Sequence, residues 1–409
     1  MPEPAPAPSH VHDVLIVGSG LVGASLAIAL DALGLDVGMI EATAPGALPA
    51  VFDERNLSFA EATVNALTAL EVMPLLRAPT GAIQRIHVSR AGDFGRVRME
   101  ARDHGRHEFG RVVTARDFGD ALETRLSGLS RLTRYRPARF LGVEDLDDAT
   151  RTVRITDADG DRTLGTRLLV AADGTRSAVR AALGIATTRH DYAQTLLVSR
   201  LRAQRAPDGT AYERLTSHGP TALLPRGDGH YGLIHAVASD EADAVAALDE
   251  TAFLDRVQSI FGWRVGRLLG CGSRTAYPII GCTAEALTAP RAVLVGNAAQ
   301  TLHPIGAQGF NLGLRDALTL AECIADAGDP GDPAALATYA RRRAPDRERT
   351  LDFVDGLARV SATQAPFSSL LRSGALLAGD AMGWLQGWLV GGAMGYRGDV
   401  PALCRKVAA

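Results

Sequence analysis

The chain has 409 residues, with 43 Lys and Arg against 46 Asp and Glu and a formal net charge of −3. That balance offers no cationic surface for nucleic acid, so a nucleic-acid-binding role is set aside. The length predicts two or three packed units rather than one simple core. The four cysteines, Cys271, Cys282, Cys323 and Cys404, share no C-x-x-C spacing, so reduced thiols are expected and no metal site.

The opening MPEPAPAPSHVHD lacks a basic stretch followed by an apolar core. It does not read as a signal peptide, and a cytoplasmic location is expected. The stretch 13–42 then reads as a βαβ unit: an apolar strand over Val14–Val17, a G-x-G-x-x-G turn at Gly18, Gly20 and Gly23, and a helix with Leu26, Leu30 and Leu33 at helical spacing. A second strand, VGMI, ends at Glu41. Gly18 permits a tight turn, Gly20 lets backbone N–H groups approach a pyrophosphate, and Gly23 lets helix and strand pack closely. Leu21 and Val22 open the helix whose positive end faces that pyrophosphate. Glu41, beside Ala42, stands where an acid binds a ribose hydroxyl and disfavours a 2′-phosphate. The pattern predicts an adenine dinucleotide, FAD or NAD.

Further along, LLVAADGTRSAVRAALGI (168–185) reads as a buried strand, a turn at Asp173–Gly174 and a helix capped by Ser177. TALLPRGDGHYGLIHAVA (221–238) reads as two strands joined by a turn. Histidines and tyrosines in this region, among them His218, His230, His235, Tyr212 and Tyr231, suit packing better than chemistry. The segment VGNAAQTLHPIGAQGFNLGLRDA (295–317) gathers small residues and glycines after a buried strand at Ala292–Val295 and before a helix expected over about 308–324. Backbone donors and a positive helix end there would stabilise a negatively charged ligand without blocking its approach. His303 is the nearest candidate base; a hydrogen bond within the His-Pro turn is the competing role. The run 374–396 is apolar but interrupted by Asp380, Gln386 and several glycines. It predicts packed helical segments with an exposed apolar face around Trp384, Trp388 and Leu389, suited to a membrane surface and not to a span.

Taken in order, the G-x-G-x-x-G, D-G and G-N-A-A-Q-T-L-H-P segments resemble the flavoprotein aromatic hydroxylases of the para-hydroxybenzoate hydroxylase fold. The wording of 296–316 resembles the ubiquinone-biosynthesis hydroxylases, most of all the 2-polyprenyl-6-methoxyphenol hydroxylases. DERNLSF (53–59), EFGRVVTARDFGDAL (108–122), AYERLTSHGPTALLPRGDG (211–229) and AMGYRGDVPAL (393–403) support it. The resemblance implies FAD as cofactor, NAD(P)H as a transient co-substrate, O2, and hydroxylation of a prenylated phenol through a flavin C4a-hydroperoxide. It also suggests other ubiquinone-biosynthesis proteins and the membrane surface as partners. The FAD contacts it implies are Gly18, Gly20, Leu21, Val22, Gly23, Glu41, Ala42, Arg55, Arg116, Asp173, Gly174, Gly296, Asn297, Pro304, Gly306, Ala307, Gln308, Gly309, Phe310 and Asn311. Arg116 has a surface role as its alternative. Arg111 stands where the family has an aromatic residue, Ala115 where it has Asn, and Gly306–Ala307 inverts the usual Ala-Gly.

The implied architecture is α/β: a Rossmann-like FAD-binding domain with an inserted antiparallel-sheet substrate domain and a C-terminal helical tail. The FAD-binding domain is expected at 1–72, 103–185 and 275–345, the substrate domain at 73–102 and 186–274, and the tail at 346–409. Two other readings compete. One is a related flavoprotein of the same fold acting on another aromatic or isoprenoid substrate; a halogenase is disfavoured because no W-x-W-x-I-P motif occurs. The other is a catalytically weak flavin-binding member of a biosynthetic complex.

Overall fold

A computed structural model describes residues 10–50, 52–363 and 368–405. Two large sheets organise the chain. The first carries the strands Thr288–Ala289, Ala292–Leu294, Gly160–Ala171, Val11–Val17, Val37–Ile40 and Leu132–Tyr135 in that order, and Arg151–Asp157 and Arg139–Leu146 extend it beside Gly160–Ala171. Its central pairings, from Ala292–Leu294 across to Leu132–Tyr135, are parallel. Such strands are covered on both faces, which explains why Val14–Val17 and Leu168–Ala171 read as unbroken apolar runs and are buried. Helices Leu21–Asp31 and Gly309–Ala325 pack against each other in this body.

The second sheet has nine strands and is antiparallel apart from one pairing, Thr210–Thr216 with Arg85–Arg90. The hairpin expected at 221–238 forms from Gly219–Pro225 and Tyr231–Ala238, with Leu223 opposite Leu233. Asn56–Ala60, Gly110–Thr114 and Gly81–Ile83 form a third, small sheet.

Two elements cross the expected domain limits. The strand Thr275–Ala284, placed by the sequence reading with the FAD-binding domain, pairs along Thr187–Ala203 in the second sheet. The limit drawn at 345/346 falls inside one helix, Pro333–Ala362. Proline removes one helical N–H, yet the helix runs on through Pro345 because buried Arg343 and Asp346 anchor it on either side of that residue. The apolar run 374–396 divides into the helices Ser368–Ala381 and Gly383–Ala393. Among the described residues no helix is long and apolar enough to cross a membrane.

Candidate active site

The first glycine loop forms as its residue types require. Gly18 has φ of +103°, and a Cβ there would lie 2.6 Å from the Ala172 carbonyl oxygen. A Cβ on Gly23 would lie 2.0 Å from the Gly18 oxygen, so only glycine lets helix and strand meet. The helix Leu21–Asp31 starts at Gly20 with no side-chain cap. Its first N–H groups lack internal acceptors, and an anion suits that end. Glu41 accepts hydrogen bonds from the Ser19 N–H (3.1 Å), the Ser19 hydroxyl (2.7 Å) and the Thr43 N–H (2.7 Å). Burial opposes its ionisation, but these donors outweigh it and hold the carboxyl below its ordinary pKa.

The second loop meets the first and the third. Asp173 accepts the Val179 N–H through Oδ2 at 3.1 Å, while its buried Oδ1 has no partner. Arg180, buried one turn on, donates to the Thr175 carbonyl at 2.9 Å and to the Ala298 carbonyl at 2.6 Å. The third loop starts in the first sheet at Ala292–Leu294, joins the edge of the second through Gln300–Thr301, and returns to the helix Gly309–Ala325. It therefore lies across the seam between the sheets. Gly296 (φ +58°) packs on Val22, where a Cβ would approach Cγ2 to 2.9 Å, and Asn297 beside it is exposed. Gly306 and Ala307 are both left-handed, with φ of 70° and 52°. The helix behind them has no side-chain cap at Gln308, and a Cβ on Gly174, Gly306 or Gly309 would meet open space.

Several expected contacts are spent on other work. His303 is buried, with Nδ1 accepting the Ile305 N–H at 3.1 Å and Nε2 bonded to Gln194 Oε1 at 3.0 Å. Burial pushes its pKa down to about 4. With both ring nitrogens engaged, it holds the turn and has no lone pair free to act as a base. Asn311 is buried; its Oδ1 accepts from the Ala60 N–H and the Thr63 hydroxyl, and its Nδ2 donates to the Ser58 and Ala307 carbonyls. Phe310 packs on Phe59 and Phe118. These two side chains brace the loop from behind. Arg116 is exposed and paired with Glu54 at 2.6 Å, the surface role given as its alternative. Arg55 forms a two-pronged pair with Asp53 at 2.8 Å and stacks over the Tyr277 ring at 4.2 Å. It thereby bridges to the second sheet. Arg111 pairs with Glu108, and Ala115 is buried.

Beside the third loop opens a cavity of about 340 Å³. One wall is the second sheet, with Val88, Met99, Ala211 and Leu224; another is Pro304–Gln308; the far end is closed by Leu376, Trp388 and Leu389 of the C-terminal helices. Glu213 also lines it. The sequence reading passed over Glu213, although the alternation Ala211–Glu213–Leu215 sets one acid on an otherwise apolar strand face. It also passed over the charges beneath the loop. Asp316 accepts from Arg343 (2.7 Å), Gln300 (2.5 Å) and the Gly296 N–H (3.3 Å), and Asp346 accepts from Arg315 and Arg343. This buried network ties the third loop to the helix Pro333–Ala362.

An open helix end beside an ionised acid, an unpartnered carboxylate oxygen, and a glycine-lined loop facing free space fit the diphosphate, ribose and ring of FAD. A dinucleotide fold closed over an apolar cavity by a second sheet defines the class of flavin-dependent aromatic hydroxylases. The chain belongs to the FAD binding domain family, whose model matches residues 11–354, and within it to the ubiquinone-biosynthesis hydroxylases. It is 34% identical over 391 residues to ubiquinone hydroxylase UbiL of Rhodospirillum rubrum, covering 94% of this chain and 90% of that one. It is 25% identical to the 3-demethoxyubiquinol 3-hydroxylase of Escherichia coli, covering 91% and 96%. Among solved structures, p-nitrophenol 4-monooxygenase PnpA from Pseudomonas putida superposes with a TM-score of 0.78 at 16% identity, over 95% and 99% of the chains, a likeness of fold. The family's members are FAD-dependent monooxygenases acting on aromatic rings, with FAD as cofactor and NAD(P)H as co-substrate.

Proposed function

We propose that this protein hydroxylates a polyprenylated phenol, a precursor of ubiquinone, using NAD(P)H and O2, and that it takes this substrate from a membrane surface. The observation that carries the reading is the apolar cavity running from Pro304–Gln308 to the C-terminal helices. The flavin, once reduced by NAD(P)H, supplies the oxygen chemistry. The protein supplies position and dryness. The N–H groups opening the helix at Leu21 and Val22 hold the diphosphate, Glu41 the ribose, and Asp173 Oδ1 a donor of the cofactor. The amides of Gln308 and Gly309 and the open helix end that they begin favour negative charge on the flavin ring. Apolar side chains of the second sheet hold the phenol's ring and prenyl chain and keep out water.

Leu370, Leu371 and Trp384 are each more than 70% exposed on the helices that close the cavity. Exposed aromatic and aliphatic side chains next to a lipid-sized pocket support uptake from a bilayer. The test is incubation of the FAD-loaded protein with NADPH, O2 and 2-farnesylphenol, followed by mass spectrometry. A product heavier by one oxygen atom, formed with stoichiometric NADPH consumption, supports the reading. NADPH oxidation that the phenol neither stimulates nor couples to product overturns it.

A further inference from the structure

Glu213 lies on the strand Thr210–Thr216, sharing the cavity-facing side with Ala211 and Leu215. Its register partners on the neighbouring strands are Ala222 and Val88. No cation pairs with it among the described residues. Gly306 lines the same cavity, at the turn of the loop expected to face the flavin. The accessible surface it keeps opens into the cavity, and burial pushes its pKa up to about 7 against the opposing pull of the Gly306 backbone. An isolated carboxyl in an apolar wall costs stability, and nothing in the packing requires one here.

We propose that Glu213 is the proton acceptor for the substrate's phenolic hydroxyl. The inference rests on the functional reading above. The phenolic O–H bond breaks, its electron pair stays on oxygen, and the proton passes to a Glu213 carboxylate oxygen. One proton moves and no electrons. The phenolate is richer in electron density ortho and para to its oxygen, where the new C–O bond forms. Glu213 gives the proton up again as the product regains its hydroxyl. A carboxylate titrating near neutrality suits this work, since it is both available and basic. None of the other charged groups facing the cavity forms a salt bridge with Glu213 among the described residues. Asp346 pairs with Arg315 and Arg343, Arg349 donates to the Pro345 carbonyl, and Arg397 stacks on Trp388 at 3.7 Å.

Glu213→Gln separates the roles, because it keeps the side chain's size and polarity but takes no proton. In FAD-loaded enzyme with 2-farnesylphenol, we expect Glu213→Gln to bind FAD normally and lose about 100-fold in coupled turnover at pH 7. The rate should recover as the pH rises toward the phenol's own pKa, roughly 10, and peroxide release per NADPH should rise at pH 7. In the wild type the acidic limb should lie near pH 7. Equal rates and pH profiles for the two enzymes, or a loss that is the same at every pH, overturn the proposal while leaving the hydroxylase reading intact. A wild type that neither binds nor hydroxylates the phenol overturns both.

Discussion

Val22 and Gly313 meet where the helices Leu21–Asp31 and Gly309–Ala325 pack together: a Cβ on Gly313 would lie 2.8 Å from Val22 Cγ2 and 3.0 Å from the Gly296 Cα. Residues almost 300 positions apart thus hold two loops in register, the one that begins the chain's first helix and the one that lies over the seam. The packing is specific to glycine on one side and to a branched side chain on the other.

Gly313→Ala should therefore wedge the two loops apart. Overpacking of this kind costs about 1–3 kcal/mol, so a lower Tm and weaker FAD binding are expected together. Gly328→Ala, whose Cβ meets nothing within 4 Å, is the control and should change neither. Equal Tm and FAD affinity in Gly313→Ala and wild type would contradict the close contact.

Asp316→Asn should be more damaging than its conservative chemistry suggests. It leaves Arg343, fully buried, short of one of its two carboxylates. Breaking a buried pair from one side costs roughly 3–5 kcal/mol. Denaturant unfolding measures that loss. FAD titration should also weaken, because the same carboxylate accepts from Gln300 and the Gly296 N–H.

Two buried histidines should make the protein sensitive to acid. His303 and His235 are buried and neutral, each with its pKa pushed from 6.5 down to about 4, burial being the main cause. Between pH 6.5 and 4 the unfolded chain binds protons at these two sites that the folded chain refuses, so their contribution to stability falls as the pH falls through that window; Glu213, with its pKa raised to about 7, contributes in the opposite sense from about pH 7 downward and offsets part of it. The loss is roughly 3 kcal/mol per histidine over the window. His235→Gln should remove about one proton from the slope of unfolding free energy against pH between 4.5 and 6. An unchanged slope would show that His235 is already protonated in the fold.

Leu371→Ser with Trp384→Ser should weaken binding to phospholipid vesicles about tenfold or more, from the apolar area lost. Neither residue lines the cavity. Turnover of 2-farnesylphenol dissolved in detergent should stay at the wild-type level, and turnover from vesicles should fall. Unaltered vesicle sedimentation would remove the membrane-facing role of these helices.

Much of this protein is written locally in its sequence. The βαβ unit with Gly18, Gly20 and Gly23, the Ser177 cap and the 221–238 hairpin form from short-range demands on φ, packing distance and hydrogen bonding, and each appears where its residues call for it. Left-handed Gly306 and the uncapped helix after Gln308 follow from the same local rules. Where a side chain goes once a loop is folded is a different matter. Asn311, His303 and Phe310 lie in the right loop but serve its rigidity, because their partners, Ser58, Gln194 and Phe118, are brought in from distant segments. The alternation Ala211–Glu213–Leu215 marks one acid on an apolar strand face, but that the face becomes a cavity wall is decided only when the strand is laid against Arg85–Arg90 and Gly219–Pro225. The strand Thr275–Ala284 likewise joins the second sheet through its long pairing with Thr187–Ala203, a non-local choice. Backbone geometry is a property of neighbours in the chain, whereas burial and partnership depend on neighbours in space; the residue sequence determined the first, and only the tertiary structure decided the second.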